Sequence, residues 1–499
     1  MSEHPETPPI NTPSASVTEL EAIFQPEAIA VIGASANPES LGHDYVRCLL
    51  EYGYEGAIYP VNPELSEVLG QKVYPSLRQV PGTVDYVISC IPASGVLDLV
   101  EDCLQKGVKA VHFYTARFSE TGRKDAAALE RELLRRVQGA GIRVIGPNCM
   151  GLYNPRRGIS FRVDFPKEAG STGFLSQSGG NAVELVYHGA QRGLRFSKVI
   201  SYGNGLDLNE ADFLDYFAQD ADTRVIAAYI EGISDGRRFM QALRRTAARK
   251  PVIALKGGRT SSGTRAAASH TAALAGARQV WRVALRQAGA IEVQSVEEAL
   301  DLLVSFSCLK PATGPRAGVL GGGGGRTVLS ADLCEEAGLA VVPLPTEIRQ
   351  DLRERAPHLW DWVSNPVDQS ILAENPLLGV HILQMMSRSS HFDVLIANMG
   401  EDWILGRPNG DVTLHGLTDM LVEINRNTTK PMAVVLGPPD SPDEWRWRAV
   451  VGAHQRLMDG GVAIFPSIGR AARATGRFVR FWHERADRKG GAPVERQTS

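Results

Sequence analysis

Short apolar runs alternate with amphipathic segments of helical length along most of the 499-residue chain. A short run of apolar residues predicts a buried strand, and apolar residues that recur every three or four positions predict a helix. Strands that alternate with helices in this way form parallel sheets with crossover helices. The sequence therefore predicts doubly wound α/β domains, and the chain length suggests about three of them.

The alternation divides into three consecutive blocks, which the sequence predicts at residues 18–154, 166–310 and 315–484. Connectors that contain proline and glycine separate the blocks, as is typical of domain boundaries. Residues 1–17 and 485–499 carry no apolar periodicity, so we expect them to form frayed tails.

Individual strands and helices can be placed within the first two blocks. In the first block the predicted strands are Ala28–Ile32, Ala57–Val61, Tyr86–Cys90, Ala110–Phe113 and Arg143–Ile145. The helices between them are expected near Leu41–Tyr52, Val96–Lys106 and Lys124–Ala140. In the second block the predicted strands are near Gly173–Leu175, Lys198–Ser201, Val225–Ile230 and Val252–Leu255. The third block opens with AGVLGGGGGRTVLS, which again predicts a strand, a glycine turn and a helix.

Composition and charge exclude several classes of protein. Lys and Arg number 53 and Asp and Glu number 56, so the net charge is −3 and a nucleic-acid partner is disfavoured. No apolar run approaches the roughly 20 residues that cross a bilayer, and the N-terminus lacks a signal-peptide pattern. We therefore expect a cytoplasmic protein with no membrane segment. The six cysteines are scattered without metal-ligand spacing, which disfavours a bound metal.

The first predicted strand ends in a glycine turn that suits a phosphate. Gly33 allows the backbone to turn toward an anion at the N-terminus of the next helix. The full dinucleotide fingerprint needs two more glycines and an acidic residue after the second strand, where this chain has Asn62 and Pro63. NAD and a dehydrogenase are therefore disfavoured. Pro92 and Asn148 also follow predicted strands, although a turn without any ligand stays an alternative.

A second glycine turn opens the second block. Ser178, Gly179 and Gly180 follow an apolar strand and precede an apolar-periodic helix. Free N–H groups and the helix dipole at such a position attract an anion. This turn is thus a candidate site for a phosphate or a phosphoryl group.

The second block also contains a histidine in unusual surroundings. His270 is flanked by small residues, which leave room for a bulky charged group around the imidazole. Glu231 follows a predicted strand and could accept the Nδ1–H, which would leave Nε2 as a nucleophile and would stabilise a phosphohistidine. A structural histidine and a surface carboxylate are the alternative, and the spacing in the sequence does not decide whether the two side chains meet.

Eight short motifs occur in one order along the chain: VIGAS, VNP, GPNCMG, SQSGGNA, SYGNGLDLNEADFL, YIEGI, KPVIALKGGRTSSG and ASHTAALAG. With this ordered set the chain resembles the NDP-forming acyl-CoA synthetases, which include succinyl-CoA synthetase and the ADP-forming acetyl-CoA synthetases. The resemblance covers nearly the whole chain between the tails. It implies a Rossmann-like CoA-binding domain followed by two flavodoxin-like domains, the first of which carries the phosphohistidine.

The resemblance also implies roles for particular residues. His270 corresponds to the histidine that is phosphorylated, and Glu231 corresponds to the carboxylate that steadies it. Ser178, Gly179 and Gly180 correspond to the helix N-terminus that receives the phosphate. The residues in the turns that line CoA are Gly33, Ser35, Asn62, Pro63, Pro92 and Asn148.

The implied activity is that of the α subunit of an acid–CoA ligase. A carboxylic acid, CoA and ATP or GTP would give acyl-CoA, phosphate and the nucleoside diphosphate through a phosphohistidine and an acyl phosphate. No segment of the chain resembles an ATP-grasp domain. We therefore expect a separate ATP-grasp β subunit that binds Mg-ATP or Mg-GTP, a hetero-oligomer, and no ligase activity from this chain alone.

Two residues depart from the family pattern. Ala272 stands where the family usually has the glycine of His-Thr-Gly, and Arg326 ends a run of five glycines where the family usually has Asn-Gly-Gly-Gly-Pro-Gly. Two other functions stay open on the same scaffold. One is a non-catalytic CoA-binding or regulatory protein, and the other is a related transferase that uses an acyl phosphate without a nucleotide.

Overall fold

The computed structural model describes residues 14–271, 278–370, 372 and 376–490, apart from the side chains at 268–271, 376 and 488–490. By their contacts the residues divide into two compact units, 1–299 and 300–499. Three sheets, each with parallel core strands and crossover helices, confirm the predicted α/β class. No helix in these ranges combines the length and the hydropathy that a bilayer crossing needs.

The first sheet has five parallel strands in the order β2-β1-β5-β6-β7. Its strands are β1 (Ala28–Ile32), β2 (Ala57–Val61), β5 (Tyr86–Ser89), β6 (Ala110–Phe113) and β7 (Arg143–Ile145). A small hairpin follows β2 and consists of β3 (Glu67–Val68) and β4 (Gln71–Lys72). The helices are α1 (Val17–Phe24), α2 (Leu41–Glu51), α3 (Val96–Lys106) and α4 (Lys124–Ala140). The predicted elements therefore match the observed ones to within one residue at each end.

The second sheet has six strands in the order β13-β12-β11-β9-β10-β8. The strands are β8 (Gly151–Tyr153), β9 (Thr172–Ser176), β10 (Phe196–Ser201), β11 (Val225–Ile230), β12 (Val252–Lys256) and β13 (Ile291–Val293). The helices are α5 (Gly179–Gln191), α6 (Glu210–Gln219), α7 (Gly236–Arg249), α8 (Ser261–Thr271), α9 (Arg278–Ala288) and α10 (Val296–Cys308). All pairs are parallel except the edge pair of β8 with β10, whose register joins Gly151 to Ser201.

Edge strand β8 shows where the chain passes from the first sheet to the second. The sequence places residues 151–154 in the first block, whereas the structure pairs Gly151–Tyr153 with the second sheet. Periodicity carries no pairing information, so the sequence does not show that this strand pairs with β10, almost 50 positions later in the chain. The expected frayed tails, residues 1–17 and 485–499, also differ from the structure at their inner ends. Ala15 is already buried before α1 begins, and the last helix continues to Gly490.

The loop between β10 and α6 ties the first two sheets together. Alternate N–H groups of the loop donate to carbonyls at and after β7, in the pairs Asn204 to Pro147, Leu206 to Gly146 and Leu208 to Val144. Arg143 adds two hydrogen bonds of 2.8 and 2.9 Å to the buried carboxylate of Asp207. The same guanidinium donates to Glu19 of α1 at 3.0 Å. Backbone pairing and a buried ion pair thus hold the carboxyl edge of the first sheet beside the second.

The second unit contains the third sheet, which is parallel and has the order β15-β14-β16-β17-β18. Its strands are β14 (Arg316–Leu320), β15 (Ala340–Val341), β16 (Val394–Asn398), β17 (Met432–Val435) and β18 (Ala463–Phe465). Its helices are α11 (Gly325–Glu336), α12 (Thr346–Arg355), α13 (Pro376–Arg388), α14 (Glu401–Leu405), α15 (Gly410–Asn427), α16 (Glu444–Asp459) and α17 (Ile468–Gly490). Its core is aliphatic and includes the fully buried Ile348, Ile382 and Leu457.

Candidate active site

The second sheet reverses its strand order at β9, which lies between β10 and β11. In open α/β sheets the crevice outside the carboxyl ends of the strands at such a switch point is where ligands bind. The turn Ser178–Gly180 lies there because it joins β9 to α5. Ser178 is the N-cap of α5, and its Oγ accepts the N–H of Asn181 at 3.2 Å. A Cβ added to Gly180 would find only the Ser178 Oγ, at 3.8 Å, within 4 Å, so the helix is open at Gly180, whereas a Cβ on Gly179 would lie 2.7 Å from Met150 Cγ.

Glu231 lies at the same edge, directly after β11, and only 5% of the residue is exposed. The side-chain carbonyl of Gln177 accepts the N–H of Glu231 and, at 3.0 Å, the N–H of Gly232. The N–H of Gln177 donates to the carbonyl of Tyr229 at 3.1 Å. The structure thus brings the Ser178 turn and Glu231 together, and it makes Glu231 a buried carboxylate, not a surface one.

Lys256 ends β12, the strand beside β11, and its ammonium is buried against Glu231. The Nζ donates to the backbone carbonyls of Glu231 and Gly257. Burial lowers the pKa of Lys256, and the nearby Glu231 opposes that shift. Burial and the same carboxylate raise the pKa of Tyr229. A Cβ on Gly257 would lie 2.6 Å from the Tyr229 hydroxyl, so only glycine fits beside these side chains.

His270 belongs to α8, the helix that follows β12, and lies one residue before its end at Thr271. Its side chain falls outside the described part of the chain, as does Ala272, so the predicted meeting of His270 with Glu231 stays a prediction. Helix α8 lies against the 3-10 turn Ser119–Thr121, which follows β6 of the first sheet. The helix that carries His270 is therefore next to the carboxyl edge of the first sheet.

The predicted CoA turns line that carboxyl edge. The first sheet reverses its order between β1 and β5, which are neighbours. Gly33 follows β1 with a φ of +84°, and its N–H donates to the carbonyl of Val61 at 3.0 Å. Asn62 donates from Nδ2 to the carbonyl of Ala34 at 2.8 Å. A Cβ on Gly42, in the first turn of α2, would lie 2.0 Å from the Gly33 carbonyl oxygen. The helix N-terminus thus packs directly on the glycine turn.

The remaining turns at this edge are held by short polar contacts. Asn148 has a φ of +60°, and its N–H donates to the carbonyl of Thr115 at 2.9 Å. The next residue, Cys149, accepts a hydrogen bond of 3.0 Å from the Nε2 of buried His112. Burial lowers the pKa of His112 to about 4, so the ring is neutral at pH 7.

The other predicted CoA residues, Ser35, Pro63 and Pro92, lie in the turns after β1, β2 and β5. Ser35 follows Gly33 and accepts the N–H of Asn37 at 3.1 Å on its Oγ. Pro63 follows Asn62 directly, and Pro92 begins the 3-10 turn Ala93–Gly95 after β5. The structure therefore gathers all six predicted CoA residues at one edge of the first sheet.

The glycine turn of the third sheet has a different partner. Gly324 is the N-cap of α11, with a φ of +43°, and its N–H donates to Asp368 Oδ2 at 2.8 Å. The Oδ1 of Asp368 accepts the N–H and the hydroxyl of Ser370 at 2.8 and 2.6 Å. Arg326 lies in the first turn of α11, and its N–H donates to the carbonyl of Gly323 at 2.9 Å.

The fold and the two edges define an α/β protein with a serine and glycine turn at a helix N-terminus beside a buried carboxylate, and with a second sheet edge built from glycine, asparagine and proline turns. Two family models match these regions. A CoA binding domain matches residues 27–155. A succinyl-CoA ligase like flavodoxin domain matches residues 169–306.

Curated relatives extend the match beyond these domains. The α subunit of the ADP-forming acetate–CoA ligase II of Pyrococcus furiosus is 38% identical over 76% of this chain and 82% of its own length. The ADP-forming acetate–CoA ligase I of Archaeoglobus fulgidus is 37% identical over 76% of this chain but only 54% of its own length. The chain belongs to the ADP-forming acyl-CoA ligase family, in the α-subunit form.

A solved structure supports the same family. The dinucleotide forming acetyl-coenzyme A synthetase 1 of Ca. Korarchaeum cryptofilum, in complex with phosphate and ADP, is 32% identical with a TM-score of 0.81. The match covers 95% of this chain and 99% of that one. The predicted family, the three-part fold and the acid–CoA ligase class are therefore confirmed, and the first domain binds CoA.

Sequence reasoning missed three residues of the site, which are Gln177, Lys256 and Gly257. All three stand inside motifs that carry the family resemblance, SQSGGNA and KPVIALKGGRTSSG. A charged residue at the end of an otherwise apolar strand was the one available signal for Lys256. Its contact with Glu231 depends on β11 and β12 being neighbours, and an order of strands is not readable from periodicity.

Proposed function

We propose that this chain carries a phosphoryl group on His270 during the synthesis of an acyl-CoA. The γ-phosphoryl group of ATP or GTP is transferred to the imidazole, and the nucleoside diphosphate leaves. A carboxylate oxygen of the acid then attacks the phosphorus, which gives an acyl phosphate and frees the imidazole. The thiolate of CoA attacks the acyl carbon, and inorganic phosphate leaves with the C–O bond electrons.

The single observation that carries the proposal is the buried Glu231 beside the open N-terminus of α5. A phosphoryl group at this position would meet the N–H groups and the dipole of the helix at Ser178, Gly179 and Gly180. The room at Gly180 fits such a group, because a Cβ there meets nothing closer than 3.8 Å. A carboxylate such as Glu231 would fix the imidazole tautomer through the Nδ1–H and leave Nε2 as the nucleophile.

The CoA edge fits the thiol substrate. Gly33, Ser35, Asn62, Pro63, Pro92 and Asn148 lie in turns at the switch point of the first sheet. Helix α8 lies against this sheet at the 3-10 turn Ser119–Thr121. A short path between a phosphorylated residue 270 and an acyl phosphate at the CoA edge follows from this arrangement.

The nucleotide is proposed to bind elsewhere, on an ATP-grasp β subunit as Mg-ATP or Mg-GTP. One observation supports a partner, because the Pyrococcus furiosus relative is named a subunit α. The working enzyme is then a hetero-oligomer, which we place in the cytoplasm.

The test is direct labelling of the histidine. The chain, copurified with its β subunit, is incubated with Mg²⁺ and γ-³²P-ATP or γ-³²P-GTP, and the labelled residue is mapped by mass spectrometry. We expect acid-labile, base-stable label on His270, none in His270→Ala, and full label in His188→Ala, which changes an exposed histidine on α5. Label that persists in His270→Ala, or a wild-type complex that makes acyl-CoA without any label, would overturn the proposal.

A further inference from the structure

Lys256 is almost fully buried, with 4% of the residue exposed, although it ends a strand beside the proposed phosphoryl site. An ammonium group leaves water at a cost, and this one donates hydrogen bonds to two main-chain carbonyls, those of Glu231 and Gly257. The lysine therefore holds the backbone of Glu231 in place.

Gln177 holds the same residue from its other side. Its Oε1 accepts the N–H of Glu231 and the N–H of Gly232. The peptide group before Glu231 is thus fixed by Gln177, and the peptide group after it is fixed by Gln177 through the Gly232 N–H and by Lys256 through the Glu231 carbonyl. Both side chains are buried, at 4% exposure each. The carboxylate extends from a backbone that is fixed on both sides, at the centre of the sheet edge.

Such a double anchor matters for a carboxylate that must orient an imidazole. Catalytic geometry has to be held within about 0.5 Å, and the residues that hold it do so through their own packing and hydrogen bonds. We propose that Lys256, together with Gln177, is a positioning residue that fixes Glu231 toward His270, and that its ammonium adds a positive charge which favours the phosphoryl group at this edge. The inference rests on the proposed function of His270.

The choice of lysine fits the second part of this role. A neutral donor could bond to the same two carbonyls without the desolvation penalty that a buried ammonium carries. The charge is useful where a buried carboxylate and an incoming dianion share one crevice, because it offsets their repulsion. Burial lowers the pKa of Lys256 and the nearby Glu231 opposes that shift, so the carboxylate favours the charged form of the ammonium.

The experiment uses the complex of the chain with its β subunit and compares two lysines. Lys250 is the matched control, since its Nζ also donates to two backbone carbonyls, those of Phe217 and Asp220, and burial also lowers its pKa. The phosphohistidine formed from γ-³²P-ATP or γ-³²P-GTP with Mg²⁺, and its rate of decay, are measured for the wild type, Lys256→Met and Lys250→Met. The KM for CoA is measured in parallel.

We expect Lys256→Met to lower the labelling rate by about 10- to 100-fold, the factor that corresponds to a lost hydrogen bond from a charged group. The KM for CoA should stay within about twofold, because CoA binds at the first sheet. Lys250→Met should label like the wild type. Normal labelling of Lys256→Met, or an equal loss in Lys250→Met, would overturn the proposal.

Two further variants keep the test decisive if Lys256→Met does not fold. Lys256→Arg keeps the charge and the donors, and Lys256→Gln keeps a donor only, so labelling should fall in the order wild type, Arg, Gln. Equal labelling of Lys256→Gln and the wild type contradicts the proposed charge. A wild-type complex that takes no label on His270 refutes the proposed function itself, and it does so before any lysine variant is compared.

Discussion

The turns Ser178–Gly180 and Gly321–Gly325 have the same position in their sheets, but different groups lie at their helix N-termini. Each follows the strand at which its sheet reverses order, and each leads into a helix, α5 in one case and α11 in the other. In the first turn the N-cap is Ser178, a neutral side chain that caps the helix through its hydroxyl. In the second turn the N–H of Gly324 is bonded to the carboxylate of Asp368.

The difference shows that a glycine turn alone does not define a phosphate site. At the cap of α5 an anion meets a neutral hydroxyl and open space at Gly180, and the carboxylate of Glu231 lies beside this turn and not at the cap. An anion that approaches α11 in this conformation meets a carboxylate that already occupies an N–H group. Two turns with the same backbone plan thus differ in the charge that a ligand encounters, and side chains far away in sequence decide it.

A carboxylate can be introduced into the first turn, so that it carries the same charge as the second. In Ser178→Asp the helix keeps a good N-cap, so the fold is expected to persist. A carboxylate about 5 Å from the phosphoryl charge costs roughly 3 kcal/mol at an effective dielectric constant of 20, which is about a 100-fold loss of His270 labelling. The measurement is the initial rate of labelling in the complex.

Ser16→Asp is the control for this variant. Ser16 is also a serine N-cap, and its Oγ accepts the N–H of Glu19 at 3.1 Å at the start of α1. The same change there should leave labelling unaltered. If Ser178→Asp labelled as fast as Ser16→Asp, the open turn at α5 would not be where the phosphoryl group binds.

In the first unit a buried histidine holds the loop at Asn148, and the stability from this contact should depend on pH. The Asn148 loop is held by the neutral ring of His112, which is buried and donates to Cys149. Burial lowers the pKa of His112 from its ordinary 6.5 to about 4. As the pH falls, the unfolded chain takes up this proton first. The stability contributed by the neutral ring is thus complete above pH 6.5 and is lost progressively below it.

His112→Gln isolates this contribution, because glutamine can still donate to Cys149 and does not titrate. We expect the difference in unfolding free energy between the wild type and the variant to shift by about 2 kcal/mol against the wild type between pH 6.5 and pH 5. Urea titrations at the two pH values measure it. A difference that does not change with pH would mean that the ring is protonated as easily in the folded chain as in the unfolded one.

Apart from β8 and β13, the strands of the first two sheets were predictable because each is a short apolar run between turn residues. Strand β11 was placed at Val225–Ile230, as observed. Edge strand β8 was not, because its three residues pair antiparallel with a strand almost 50 positions later in the chain, and periodicity carries no pairing information. The same limit applies to the loop at Asn204, whose backbone pairs with residues after β7.

Site residues were predictable where they stand in a family motif. They were not predictable where their role depends on contacts between neighbouring strands. Ser178 and Glu231 came from motif positions, and the structure puts both at the carboxyl edge of the second sheet. The burial of Glu231 and its contacts with Gln177 and Lys256 follow from the order of β9, β11 and β12, which the sequence does not state. Asp368 is the corresponding case in the second unit, since its bond to Gly324 spans 44 positions.

Asp368→Asn removes the negative charge from the second turn, and we expect it to have the smallest effect of these variants. Both oxygens of Asp368 accept hydrogen bonds, Oδ2 from Gly324 and Oδ1 from Ser370. An asparagine has one acceptor oxygen, so either the glycine turn or Ser370 must lose its partner. The expected loss of stability is about 1 kcal/mol, or roughly 2–4 °C in the Tm of a unit of this size.

The exposed Asp361, in the segment before Asp368, gives the control variant Asp361→Asn, which should leave the Tm unchanged. Differential scanning calorimetry measures both variants beside the wild type. Because the carboxylate of Asp368 and the glycine turn lie in the second unit, the transition of the first unit should not move. If Asp368→Asn raised the Tm instead, the carboxylate would destabilise the second turn. Its presence would then be explained by a ligand, and the two turns would differ in whether their ligand is bound.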